Sequence, residues 1–135
     1  MKHLTLLRIW IVFFCLQAHT SAMEVERFRL DNGLTLLVGV EKRLPLVNVT
    51  CIYRVGGANE QAGITGMAHY IEHMAFRATE NISKADITGT IERIGGRWNG
   101  YTWIDQTLYA ATVPTWALND ILRIESERMS RVSFD

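Results

Sequence analysis

The stretch Gly63-Ile64-Thr65-Gly66-Met67-Ala68-His69-Tyr70-Ile71-Glu72-His73-Met74-Ala75-Phe76 decides how the chain is read. Apolar side chains at Ile64, Met67, Ala68, Ile71, Met74 and Ala75 recur with helical period, and Thr65, His69, Glu72 and His73 fall on the other side. The spacing predicts a helix over residues 63–76, its apolar stripe turned to a core and its polar face free for chemistry. His69 and His73 stand one turn apart, so their imidazoles can converge on one ion. Neutral imidazole nitrogens bind zinc at about 2.0 to 2.1 Å, and Zn2+ is the cofactor this donor set predicts. Glu72 lies beside the second imidazole, where a carboxylate can take a proton from a metal-activated water and later pass it to a leaving amine. Burying three such groups without an ion would leave costly unpaired polar atoms.

Outward from that helix the chain alternates between strand and helix signals. Upstream, residues 25–30 alternate, Asp31-Asn32-Gly33 signals a turn, and residues 34–40 are apolar, which together predict a hairpin. Residues 42–45 break the pattern. A third strand is predicted over 46–55, with Val47, Val49, Cys51 and Tyr53 on one face, ending at Gly56-Gly57. Downstream, Ser83 with Asp86 three residues on predicts a helix start, and the helix runs through Ile87 and Ile91 to Ile94 before Gly95-Gly96. Strands are predicted over 97–104 and 106–113. After Pro114 a last helix is expected to turn Leu118, Ile121, Leu122, Ile124 and Met129 to the core. This order predicts an α+β fold: a mixed, mainly antiparallel sheet with helices on one face.

The chain has 135 residues, enough for one ordinary domain, and its 14 basic and 14 acidic side chains exclude an acidic tail or a nucleic-acid arm, so no nucleic-acid partner is expected. Residues 1–22 have the pattern of a secretory signal peptide: Lys2 and Arg8, an apolar run over 9–16, then the small residues Thr20, Ser21 and Ala22. The apolar run is shorter than the roughly 20 residues a membrane span needs. Cleavage after Ala22 is expected, leaving residues 23–135 as an exported chain, periplasmic or secreted, with no membrane association. Cleavage removes His3, His19 and Cys15, so His69 and His73 are the histidines of the mature chain and Cys51 its one thiol. Cys51 is expected to be a small buried core residue. Asn48-Val49-Thr50 and Asn81-Ile82-Ser83 match the glycosylation sequon, but they read better as a strand segment and as helix-capping chemistry.

Arg54-Val55-Gly56-Gly57-Ala58-Asn59-Glu60, followed by residues 63–76 with their His-x-x-Glu-His order, resembles the pitrilysin/insulinase (inverzincin) family of zinc metallopeptidases, which includes the mitochondrial processing peptidase. Ile94-Gly95-Gly96, Asn99-Gly100-Tyr101-Thr102, Asp105-Gln106-Thr107-Leu108-Tyr109 and the helix with Glu127-Arg128-Met129 resemble successive landmarks of that family's N-terminal domain. The resemblance runs over residues 28–135. It implies that His69 and His73 bind zinc, that Glu72 is the general base, and that a Glu roughly 75 residues past His73 completes the metal shell. That position lies beyond Asp135, so residues 23–135 are expected to be the N-terminal part of a mitochondrial processing peptidase-like metallohydrolase domain, incomplete at its C-terminus. Glu125 and Glu127 match the segment before the ligand helix and are expected on a solvated face.

The resemblance further implies a peptide substrate that adds to the free edge of the strand holding residues 97–103, with Asn99 and Tyr101 as contacts and Trp98 and Trp103 flanking them. Gly100 stands where a small Ala is common, which is expected to let another backbone come close. The implied activity is metal-assisted peptide hydrolysis that needs a C-terminal half or a second subunit of the same fold, so this chain alone is expected to be inactive. One alternative is a non-catalytic subunit or binding module of the same fold, against which the intact His69, Glu72 and His73 argue. Another is an S-ribosylhomocysteine lyase, similar in fold and motif, but its cysteine ligand follows the motif whereas Cys51 precedes it.

Overall fold

Strand alternation closed by a glycine turn builds the first pair of elements. Strands β1 (Val25–Arg29) and β2 (Thr35–Gly39) pair antiparallel from Val25↔Gly39 to Arg29↔Thr35. Gly33 takes φ +88°, a conformation L side chains rarely adopt, and the Asn32 side-chain oxygen accepts from the Leu34 amide at 3.1 Å. The computed structural model describes residues 23–134, so the predicted signal peptide lies outside the described residues. The described chain divides after Arg43 into two units, the hairpin and the segment from Leu44 onward.

The second unit is a three-stranded sheet carrying three helices. Strands β3 (Leu46–Tyr53), β4 (Arg97–Thr102) and β5 (Thr107–Pro114) lie in the order β3-β5-β4, and both pairings are antiparallel. Register aligns Val47 with Val113, Val49 with Ala111 and Cys51 with Tyr109, while Trp98 opposes Ala111 and Gly100 opposes Tyr109. These residues therefore share one face, as the alternation in β3 predicts. Helices α1 (Met67–Ala75), α2 (Lys84–Arg93) and α3 (Leu118–Ser130) pack on that face. Ile87 and Ile91 of α2 meet Ile121 and Ile124 of α3 over Ala111 and Val113, with Val47, Val49 and Trp98 at the margin. The α+β architecture, with antiparallel strands and helices on one face, is the one expected. The Ser83 cap is also found, its hydroxyl accepting from the Asp86 amide at 3.2 Å.

Helix α1 departs from its prediction in length and in rotation. Gly63 and Gly66 take φ +94° and +92°, so the helix starts only at Met67. The side chains it buries are Ala68, Glu72, Met74 and Ala75, while Ile64, Met67 and Ile71 are exposed, Ile71 at 42%. The predicted face is thus turned so that a carboxylate goes inward. Helix α3 does the same: Leu122 and Met129 are exposed, and Glu125 and Arg128 are buried as an ion pair. In both cases a specific polar partner, absent from any hydropathy pattern, fixes the helix rotation.

Gly66 at the start of α1 has no side chain to cap the helix, and Glu60 supplies the cap from a distance. Its two carboxylate oxygens accept from the Gly66 and Ala68 amides, each at 2.8 Å. The Ala68 and Gly66 amides hold the Glu60 carboxyl below its usual range. Gly56 allows a second close contact, because a Cβ there would collide with the Trp103 carbonyl. The Gly57 amide donates to that carbonyl at 2.9 Å and the Ala58 amide to Ile104 at 2.6 Å.

Ile121→Ala is expected to lower stability by about 2 to 5 kcal/mol in urea denaturation, whereas Leu122→Ala should change it by less than about 0.5 kcal/mol. A reversed order would contradict the helix rotation seen here. Because its folded pKa is depressed, the contribution of Glu60 is present above the unfolded value of about 4.3 and is lost as pH falls through the folded value. Glu60→Gln should therefore show a shallower fall in urea midpoint on acidification through that window than the parent chain.

Candidate metal centre

Four-residue spacing on α1 brings the imidazoles of His69 and His73 together, with their Nε2 atoms 3.1 Å apart and both side chains exposed. Two nitrogens at about 2.05 Å from one tetrahedral ion would lie about 3.3 Å apart, so the pair fits a single zinc with little movement. Such a pair either shares one N–H between its rings or turns both lone pairs to one cation. Among the described residues, no group of three His, Cys, Asp or Glu side chains lies together in a way that could hold a metal.

Glu72 is 7% exposed, and its Oε2 accepts from the Thr102 hydroxyl at 2.9 Å. Its Oε1 lies over the β4 backbone, 2.7 Å from where a Cβ on Gly100 would sit. The same Cβ would collide with the Phe76 ring. The space above Gly100, on the α1 side of β4, is therefore filled by Glu72 and Phe76. The polar face is divided: both imidazoles are at the surface and the Glu72 carboxylate is buried.

Asn99 and Tyr101 alternate with Trp98, Gly100 and Thr102 along β4, so their side chains stand on the opposite face of the strand from the groups that meet α1. Both are exposed, and β4 is an edge of its sheet. Tyr101 stacks on exposed Trp103 at 6.0 Å with planes 17° apart, whereas Trp98 is half-buried against the core and Phe76. Glu125 and Glu127 do not lie on a solvated face. Glu125 pairs with Arg128 in the interior, and half-buried Glu127 accepts from Asn81 Nδ2 and from Arg131 Nη1 at 3.0 Å. Cys51 is half-buried, and burial, reinforced by the nearby Glu125 carboxylate, pushes its thiol up to about 12, so it is a neutral thiol at the margin of the core.

Two residues with clear roles around this centre went unassigned in the sequence. Thr102 shares a strand face with Gly100 two positions before it, and that alternation was a usable signal. Glu60 caps a helix six and eight residues away, a separation no local capping pattern covers.

The family model for insulinase (peptidase family M16) matches residues 42–135. Among curated proteins, the chain is 34% identical over 109 residues to an uncharacterized zinc protease of Rickettsia bellii, covering 78% of this chain and 26% of that protein. It is 31% identical over 109 residues to the zinc protease PqqE of Helicobacter pylori, covering 80% of this chain and 24% of that one. The β subunit of the mitochondrial-processing peptidase of Saccharomyces cerevisiae is 35% identical over 83 residues, 62% of this chain and 18% of the subunit. A crystal structure of a Helicobacter pylori protease superimposes with a TM-score of 0.80 at 29% identity, over 84% of this chain and 27% of that one. The periplasmic protease PqqL of Escherichia coli does so at 0.76 and 27% identity, over 84% of this chain and 14% of that one. The chain thus spans about a quarter of the length of the first two curated relatives. With a profile match across the sheet and all three helices, this chain belongs to the insulinase family, peptidase family M16.

Proposed function

We propose that residues 23–135 are the zinc-carrying N-terminal part of an exported metalloendopeptidase. The observation that carries this reading is the pair of exposed imidazole nitrogens 3.1 Å apart on one face of α1, with the neighbouring Glu72 carboxylate buried on the same helix and bonded by Thr102. Relatives named as zinc proteases support the choice of metal. His69 and His73 would hold the ion through Nε2, and a Glu from a later helix, beyond Asp135, would complete the set. Zinc, when bound, supplies Lewis-acid polarisation and a water of lowered pKa.

Glu72 acts as the general base. With the carboxylate oriented by the Thr102 hydroxyl, it takes a proton from the attacking water and returns it to the leaving amine. The peptide adds to the β4 edge through backbone hydrogen bonds, with Asn99 and Tyr101 contacting side chains on the outer face. A C-terminal half or a second subunit of the same fold closes the cleft. Export is supported by the pattern of residues 1–22 and by the periplasmic location in the name of the Escherichia coli neighbour. No helix among the described residues is long and apolar enough to cross a membrane.

In the full-length protein, Glu72→Gln is expected to keep zinc and lose at least about 100-fold in kcat on a peptide substrate. His73→Ala should lose the metal by elemental analysis. An active Glu72→Gln variant, or zinc unchanged in His73→Ala, would overturn the assignment. N-terminal sequencing of the exported protein should begin at Met23; a start within residues 1–22 would contradict the cleavage site.

A further inference from the structure

Arg128 takes no part in the reaction just described, yet it is 5% exposed and its contacts lead to the residues that do. We propose that Arg128 is a positioning residue that sets the place of Glu72 and His73, an inference that rests on the catalytic reading above. Its Nε donates to the Ala75 carbonyl at 3.1 Å. Ala75 ends α1, two residues past His73, so this bond anchors the helix within one turn of both side chains. Terminal helix carbonyls lack an intrahelical partner and carry partial negative charge, which a buried guanidinium satisfies on both counts.

The guanidinium is itself fixed on several sides. Its central carbon lies 4.5 Å from the Tyr109 ring centre, 5.2 Å from that of Phe76 and 5.9 Å from that of Trp98, and its Nη1 donates to Glu125. Phe76 continues the path. Its ring, 4.5 Å from Trp98, fills the space above Gly100 where Glu72 Oε1 also rests. Arg128 thus controls the carboxylate by two routes: along the helix axis through Ala75, and across the sheet through Phe76.

Stability alone does not explain this arrangement. Replacing a buried ion pair with apolar side chains of similar volume is often neutral or stabilising, so a pair kept only for packing could be exchanged without loss. The planar guanidinium supplies what an apolar side chain cannot, a donor to Ala75 combined with a flat face for three rings.

The test uses the full-length zinc-loaded protein and three variants. The double variant Glu125→Leu/Arg128→Met is expected to melt near the parent temperature while kcat falls about 10- to 100-fold, with KM within about twofold. Its zinc affinity, read by chelator competition, should fall about tenfold. Arg128→Lys keeps the charge but loses the flat fork, and should show the same kcat-selective loss. Phe76→Leu leaves Arg128 intact and cuts the second route; it should also lower kcat without moving KM, and it decides the question if the Arg128 variants do not fold. Any folded variant of the three with kcat and zinc affinity both within twofold of the parent overturns the proposal. Glu72→Gln measured alongside separates the two readings, because activity in that variant defeats the catalytic assignment itself whatever Arg128 does.

Discussion

The arrangement of this unit depends on one close approach, where α1 lies against the β4 backbone at Gly100. A carboxylate can be taken out of water only if something in the interior replaces its hydrogen bonds, and Thr102 supplies that donor at 2.9 Å. The helix reaches Thr102 because Gly100 has no side chain in the way. Once Glu72 is fixed inward, helical geometry settles the rest. At about 100° per residue, His69 and His73 stand roughly 60° and 100° around the helix from Glu72, on the same side. Burying the carboxylate therefore turns both imidazoles to the surface together. The surface placement of the imidazole pair follows from the burial of the acid next to it.

This also explains which parts of the fold could be read from sequence. The hairpin, the phase of β3, the Ser83 cap and the meeting of His69 with His73 depend on residues within a few positions of one another, and each was legible. The antiparallel sheet with helices on one face followed from their order. The rotations of α1 and α3 were not legible. Counting Ile64, Met67 and Ile71 as inward assumes that the most apolar stripe is buried, but Glu72 has a partner 30 positions away and Arg128 one 53 positions away. A pattern confined to one helix carries no trace of those partners. The same applies to the close approach of Phe76 and Glu72 over Gly100, which no pattern within either element announces.

The candidate site was legible to a similar degree. The imidazole pair and the adjacent acid could be named from spacing, because side chains one turn apart must face the same way. Thr102, which donates to the acid, shares the Gly100 face by alternation, and the strand register then sets that face against α1. Asn99 and Tyr101 are suggested by resemblance alone, and strand alternation puts their side chains on the outer face of β4.

A nine-residue helix is too short to be stable by itself in water, where isolated helices under about 12 to 15 residues are marginal. Helix α1 is held at both ends by side chains from outside it. Glu60 places a carboxylate on its first amides, and Arg128 places a guanidinium on its last carbonyl. The two charges have opposite signs, and each matches the end of the helix dipole that it meets. Exchanging them would put like against like at both termini. The helix between is left with little freedom to slide along its axis, and a slide of one residue would carry Glu72 past Thr102 and part the carboxylate from its donor. The position of Glu72 is thus set by two distant charged residues and one glycine, while the two imidazoles remain at the surface.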